Sequence, residues 1–139
     1  MKKYIGTKNV SAEPMLLGEF IKQSGRNPYA NDKKLHNYAE EGYIVEYEDG
    51  YMSWSPKSVF EKAYRVANTP LDRMHIEYDE LMEKYNKLVI FLGREDAISI
   101  AGQEQIDLMQ IQKKQMLSYI CTLNERIMLM EKSIKKLEI

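Results

Sequence analysis

Apolar side chains recur every three or four residues through the second half of the chain. Leu71, Met74, Tyr78, Leu81, Tyr85, Leu88 and Leu92 form one run. Ile106, Met109, Met116, Ile120, Leu123, Ile127, Met130, Ile134 and Leu137 form a second, interrupted by Lys113. A stripe of this kind is the seam of a helix that packs along another helix. The region is therefore expected to be an antiparallel hairpin of two helices, over about 70–92 and 103–137, joined by a loop at 93–102. At 1.5 Å per residue the arms are about 33 Å and about 52 Å long. A simple fold-back lets the first arm cover the second only to about residue 124. Ile127, Met130, Ile134 and Leu137 then need another surface, either the N-terminal half or a second copy of the chain. An uncovered stripe is an association site, and a homo-oligomer is expected.

The first half shows shorter periods. Residues 3–10 are expected to form a strand, and Pro14 to open a short helix carrying Met15, Leu16, Phe20 and Ile21 and ending near Gly25. Residues 26–41 are polar and without period, a surface loop. Tyr43, Val45 and Tyr47 alternate with Ile44, Glu46 and Glu48, and Asp49-Gly50 is the dipeptide favoured in a two-residue hairpin turn with positive φ at both positions. Tyr51 to Trp54 returns as the partner strand. Ser55 is expected at the N-cap and Pro56 at the first position of a helix whose inner face is Val59, Phe60, Ala63 and Tyr64. Thr69-Pro70-Leu71-Asp72 repeats that start signal for the first long helix, and Gly93 suits its end. The fold class is α+β: a small antiparallel β-sheet module with short helices over 1–68, then a long antiparallel helical hairpin over 69–139.

Composition narrows the function. Twenty Lys and Arg balance 21 Asp and Glu over 139 residues, and both halves are close to neutral. Such balance lacks the basic face that drives binding to long nucleic acids. Cys121 is the sole cysteine, which removes an intramolecular disulfide and a thiolate metal cage; beside Ile120 it reads as a small buried hydrophobe. No apolar run approaches a signal peptide or a membrane span, and a soluble intracellular protein is expected.

Enzyme templates fail: there is no phosphate-binding glycine loop, no dinucleotide fingerprint and no paired metal-ligand spacing. His36 lies in the polar loop, His75 beside the seam, and the Glu and Asp side chains read as solvated faces. No catalytic residue, metal or cofactor is assigned. Binding has more support. Ten tyrosines and one tryptophan supply rings that stack on bases or fill interfaces. Lys113 on the seam either fixes register or lines a cavity between helices. Arg126 either snorkels to solvent or reaches an anionic ligand at a subunit junction.

The string Gly42-Tyr-Ile-Val-Glu-Tyr-Glu-Asp-Gly-Tyr-Met-Ser-Trp-Ser-Pro-Lys57, continued by Phe60-Glu61 and Ala63-Tyr64-Arg65, resembles an N-terminal module common in small phage proteins. The segment from Thr69-Pro-Leu-Asp-Arg73 to Leu123-Asn-Glu-Arg-Ile127 is similar to a helical hairpin also found in phage proteins. Together the layout resembles the first family of Thoeris anti-defence proteins. That resemblance implies a non-enzymatic, oligomeric sponge that sequesters cyclic ADP-ribose isomers made by bacterial TIR-domain defence proteins, with cyclic oligonucleotides held at separate sites in some members. It implies action in the host bacterial cytoplasm. It also implies a pocket with an aromatic ring on the adenine and arginines of the second long helix on the phosphates. Arg126 is the one residue that carries over; a second arginine one turn later would fall at Met130, a departure from the pattern. Phe91 and Arg94 at the bend and Asn124 near Arg126 are the expected additional contacts, the bend being brought in by a neighbouring chain. Trp54 and Lys57 are the candidates for a second nucleotide site. The alternative is a phage inhibitor or scaffold that binds a host protein through its long C-terminal helix, with 127–137 as the recognition surface.

Overall fold

A computed structural model describes residues 1–32 and 35–137. The chain divides into two compact units, residues 1–65 and 66–139. The first is a three-stranded antiparallel sheet with short helices and the second is helical, an α+β protein.

In the first unit β1 (Ser11–Pro14), β2 (Gly42–Glu46) and β3 (Met52–Pro56) pair in the order β1-β2-β3. The strand expected at 3–10 is displaced to Ser11–Pro14: Tyr4 and Ile5 are exposed and residues 1–10 have no regular structure. Pro14 closes edge strand β1 opposite Tyr43, a place where its missing N–H costs no ladder bond. Helix α1 (Leu17–Ser24) therefore starts after Pro14 rather than at it, and ends at Gly25 in the left-handed conformation. Leu17 and Phe20 of α1 pack on Ile44 and Trp54 of the sheet, with Met15, Ile21 and Tyr29 around them. Val45 is buried on the other face, where Tyr43 and Phe60 stack with ring centres 4.3 Å apart.

Two local expectations are corrected. The β2–β3 connection is not a two-residue turn. Gly50 N–H donates to Tyr47 O and Tyr47 N–H to Tyr51 O, both at 2.9 Å, and Gly50 has φ of 86° while no described non-glycine residue has a positive φ. This is a three-residue loop of the turn-plus-left-handed-glycine kind, and Asp49 contributes by accepting the Tyr51 N–H at 3.0 Å. Ser55 does not cap a helix either. It stays in β3 opposite Tyr43, the pairing runs on to Gly42–Pro56, and α2 (Lys57–Ala63) begins one residue after that ladder ends, without a side-chain cap.

In the second unit α3 (Pro70–Leu92) and α5 (Gln103–Leu137) form the expected hairpin, with a short α4 (Ala97–Ala101) in the bend. Thr69 caps α3 in a full capping box: its hydroxyl accepts the Asp72 N–H and the Asp72 carboxylate accepts the Thr69 N–H. Met74, Leu123 and Ile127 make the hairpin core, flanked by Leu71, Tyr78 and Met130. The first arm thus reaches further than expected. His75 meets Glu131 at 3.1 Å, so Ile127 is buried and Met130 half-buried inside one chain, while Ile134 and Leu137 stay exposed. The cause lies in the bend. Ala97 of α4 and Ile106 of α5 are buried and α4 packs on α5, so the first turns of α5 belong to the bend and α3 pairs with the turns beyond them. Cys121, expected to be buried, is exposed, because its face of α5 points away from α3.

Candidate functional site

Arg126 projects from the exposed side of α5 one residue before buried Ile127, and among the described residues it makes no hydrogen bond or ion pair. Its planar fork is free to take two oxygens of one phosphate. Asn124 does not share that face. Two residues of α-helix rotate a side chain by about 200°, and the Asn124 amide instead approaches the Met128 sulfur at 3.6 Å.

Phe91 and Arg94 stand at the bend end of the hairpin. Since α3 residues 71–78 flank α5 residues 123–130, the last turn of α3 lies beside α5 near residue 110. Arg126 is then about 24 Å further along the helix. One chain does not bring these residues together. Arg94 is also engaged already: its Nε and Nη2 donate to the two carboxylate oxygens of Asp96, each at 2.9 Å. This bidentate pair raises the Arg94 pKa and holds the Asp96 carboxyl below its ordinary value.

A residue that sequence reasoning missed joins Arg126. Tyr119 precedes it by seven residues, two helical turns, so both occupy one face about 10.5 Å apart along the axis. The Tyr119 hydroxyl donates to the Glu77 carboxylate across the hairpin, which fixes the phenol while the ring remains about half exposed. The seven-residue interval is the signal that could have found it. A place next to the seam position Ile120 conceals it, because a ring there reads as part of the packed stripe.

In the N-terminal unit Trp54 is a core side chain, 6% exposed, and its indole N–H donates to Met15 O at 2.8 Å. It offers no open face to a base. Lys57 is exposed and pairs with Glu41 at 3.5 Å, on the rim of a cavity of about 290 Å³ that Glu19, Glu41, Tyr43 and Glu61 also line. Tyr43 donates to Glu61 at 2.9 Å, and that bond raises its pKa. Three carboxylates around one lysine disfavour a phosphate there. Among the described residues no group of His, Cys, Asp or Glu could hold a metal ion, and no helix is long and apolar enough to cross a membrane.

The hairpin thus carries on one outer face an arginine with no hydrogen bond or ion pair among the described residues and a tyrosine fixed by Glu77. Residues 68–129, which take in α3, the bend and most of α5, are similar to the model of the Sequestin family, in line with the resemblance to anti-defence sponges. No curated protein and no solved structure matches the chain.

Proposed function

We propose that the protein binds and sequesters a cyclic nucleotide signal of bacterial antiviral defence. A cyclic ADP-ribose isomer is the first ligand to test and cyclic oligonucleotides the second. It acts as a homo-oligomer in the host bacterial cytoplasm and without turnover. The observation that carries this reading is the Sequestin match over the hairpin. Arg126 supplies the phosphate contact, and Tyr119, two turns away, supplies a ring of the kind that stacks on bases. Phe91 and Arg94 join the site when a neighbouring bend approaches, and Arg94 then exchanges Asp96 for the ligand.

A sponge needs a dissociation constant below the signalling concentration and no acid–base machinery. Losing a charged hydrogen-bonding partner costs about 1.5–3 kcal/mol, so Arg126→Ala is expected to weaken binding roughly ten- to a hundredfold by calorimetric titration with cyclic ADP-ribose isomers. Unchanged affinity would move the pocket elsewhere. Binding of no cyclic nucleotide by the wild type would leave the host-protein inhibitor as the reading. Its recognition surface is then narrowed to Ile134 and Leu137, since Ile127 is buried.

A further inference from the structure

The β2–β3 hairpin ends in a pair of rings. Tyr47 N–H donates to Tyr51 O at 2.9 Å, and the two rings stand with centres 6.1 Å apart and planes 28° from parallel. Each ring has one of the protein's own cations over it. The Arg26 guanidinium carbon lies 5.3 Å from the centre of the Tyr51 ring, and the Lys8 ammonium lies 5.3 Å from that of Tyr47. A cavity of about 470 Å³ opens at this tip, lined by both tyrosines together with Lys8, Asn9, Glu48 and Asp49. That volume is in the range of small-molecule sites.

The two cations are held differently. Arg26 is locked in place, since its Nη2 donates to Met52 O at 2.6 Å and its Nη1 to the Tyr51 hydroxyl at 3.3 Å. Lys8 comes from residues 1–10, which have no regular structure, and it is exposed. Among the described residues its ammonium makes no hydrogen bond or ion pair, and what holds it is the Tyr47 ring. Arg26 is thus part of the fold, whereas Lys8 is an exchangeable occupant.

The charge of the lining decides what can take its place. Without Lys8 the cavity presents the carboxylates of Glu48 and Asp49 and two π faces, which attract a cation and repel an anion. Asp49 spends one oxygen on the Tyr51 N–H at 3.0 Å and keeps the other. We propose that the hairpin tip is a binding site for an organic ammonium group, carried by a lysine of a peptide or by a free polyamine, and that Lys8 is its resident stand-in. Aromatic faces with carboxylates beside them are the arrangement by which ammonium ligands are recognised. Lys8 demonstrates the fit, because it brings the same group on a flexible stem. An incoming amine exchanges with it at the cost of one ring contact, and the displaced ammonium returns to water. The site lies within the first unit and is independent of the nucleotide reading of the helical hairpin.

The test is a titration of the full chain with spermidine and, separately, with a short lysine peptide, followed through the ring protons of Tyr47 and Tyr51. Sodium chloride at matched ionic strength is the blank. The wild type is expected to saturate with one or both; spermidine alone assigns the site to a free amine, and the peptide alone to a protein partner. Lys8→Ala is expected to bind about two- to fivefold more tightly, because the internal competitor is gone. Tyr47→Leu is expected to bind roughly five- to thirtyfold more weakly, and Tyr47→Phe, which keeps the ring, like the wild type. Trp54 is the sole tryptophan and a core residue, so its emission reports that each variant is folded. If Tyr47→Leu does not fold, Lys8→Ala still decides. An anion site would need Lys8 as a ligand, so unchanged or weaker binding by Lys8→Ala overturns the proposal. So does the absence of binding beyond the sodium chloride blank, or undiminished binding by a folded Tyr47→Leu.

Discussion

At the scale of single residues, two glycines of the β-hairpin face opposite constraints. A Cβ on Gly42 would stand 2.3 Å from Ser55 O and 2.3 Å from the Trp54 ring, whereas one on Gly50 would meet open space but carry a φ of 86°. Gly42→Ala must therefore displace a core ring and a strand, and overpacking of this kind costs about 1–3 kcal/mol. Gly50→Val is a matter of backbone strain alone, about 1 kcal/mol or more. Chemical denaturation of both variants checks this, and an unchanged midpoint for Gly42→Ala would show that the close approach to Trp54 is misplaced. Asp96 offers a pH test. Its carboxyl is held low chiefly by the hydrogen bonds from Arg94, so its contribution to stability is present above the free-aspartate pKa and lost as pH falls through the lower folded value. Carbon-detected titration should find Asp96 titrating below a free aspartate and returning toward it in Arg94→Ala. The same midpoint in both proteins would contradict the bidentate pair.

At the scale of elements, periodicity carried the helical hairpin and both its long helices, because a continuous apolar seam leaves few alternatives. What it could not carry was the pairing offset. That depended on Ala97 and Ile106 filling the bend, contacts with no periodic signal, and it moved Ile127 from expected surface to core. The β2–β3 turn was legible as a turn but not by type: whether the positive φ falls on two residues or on Gly50 alone depends on the strand register around it. Of the candidate site residues, Arg126 was legible as an exposed arginine on a helix. Asn124 was misplaced because closeness in sequence is not a shared face on a helix, and Trp54 because an aromatic string does not say which rings the sheet buries. The revised pairing has a measurable consequence. Leu123 is 1% exposed at the hairpin core and Ile134 is 41% exposed beyond it. Leu123→Ala should cost about 2–5 kcal/mol, and Ile134→Ala should lie within about 0.5 kcal/mol of wild type. Equal losses would mean that α3 covers α5 to its end.

At the scale of the whole molecule, the function proposed above is binding without turnover. Tyr119 is fixed by Glu77, and Arg126 makes no hydrogen bond or ion pair among the described residues. A protein of this kind removes a signal by mass action, so its effect scales with its abundance and fails once ligand exceeds sites. The measurement that tests this most directly is recovery of the ligand. Protein in excess is incubated with a cyclic ADP-ribose isomer, freed of unbound ligand, and heat-denatured, and the supernatant is analysed by mass spectrometry. Binding without turnover depletes the cyclic nucleotide from solution before heating and returns it chemically intact after it. Ligand that never leaves solution, or that returns as a hydrolysed product, would contradict it.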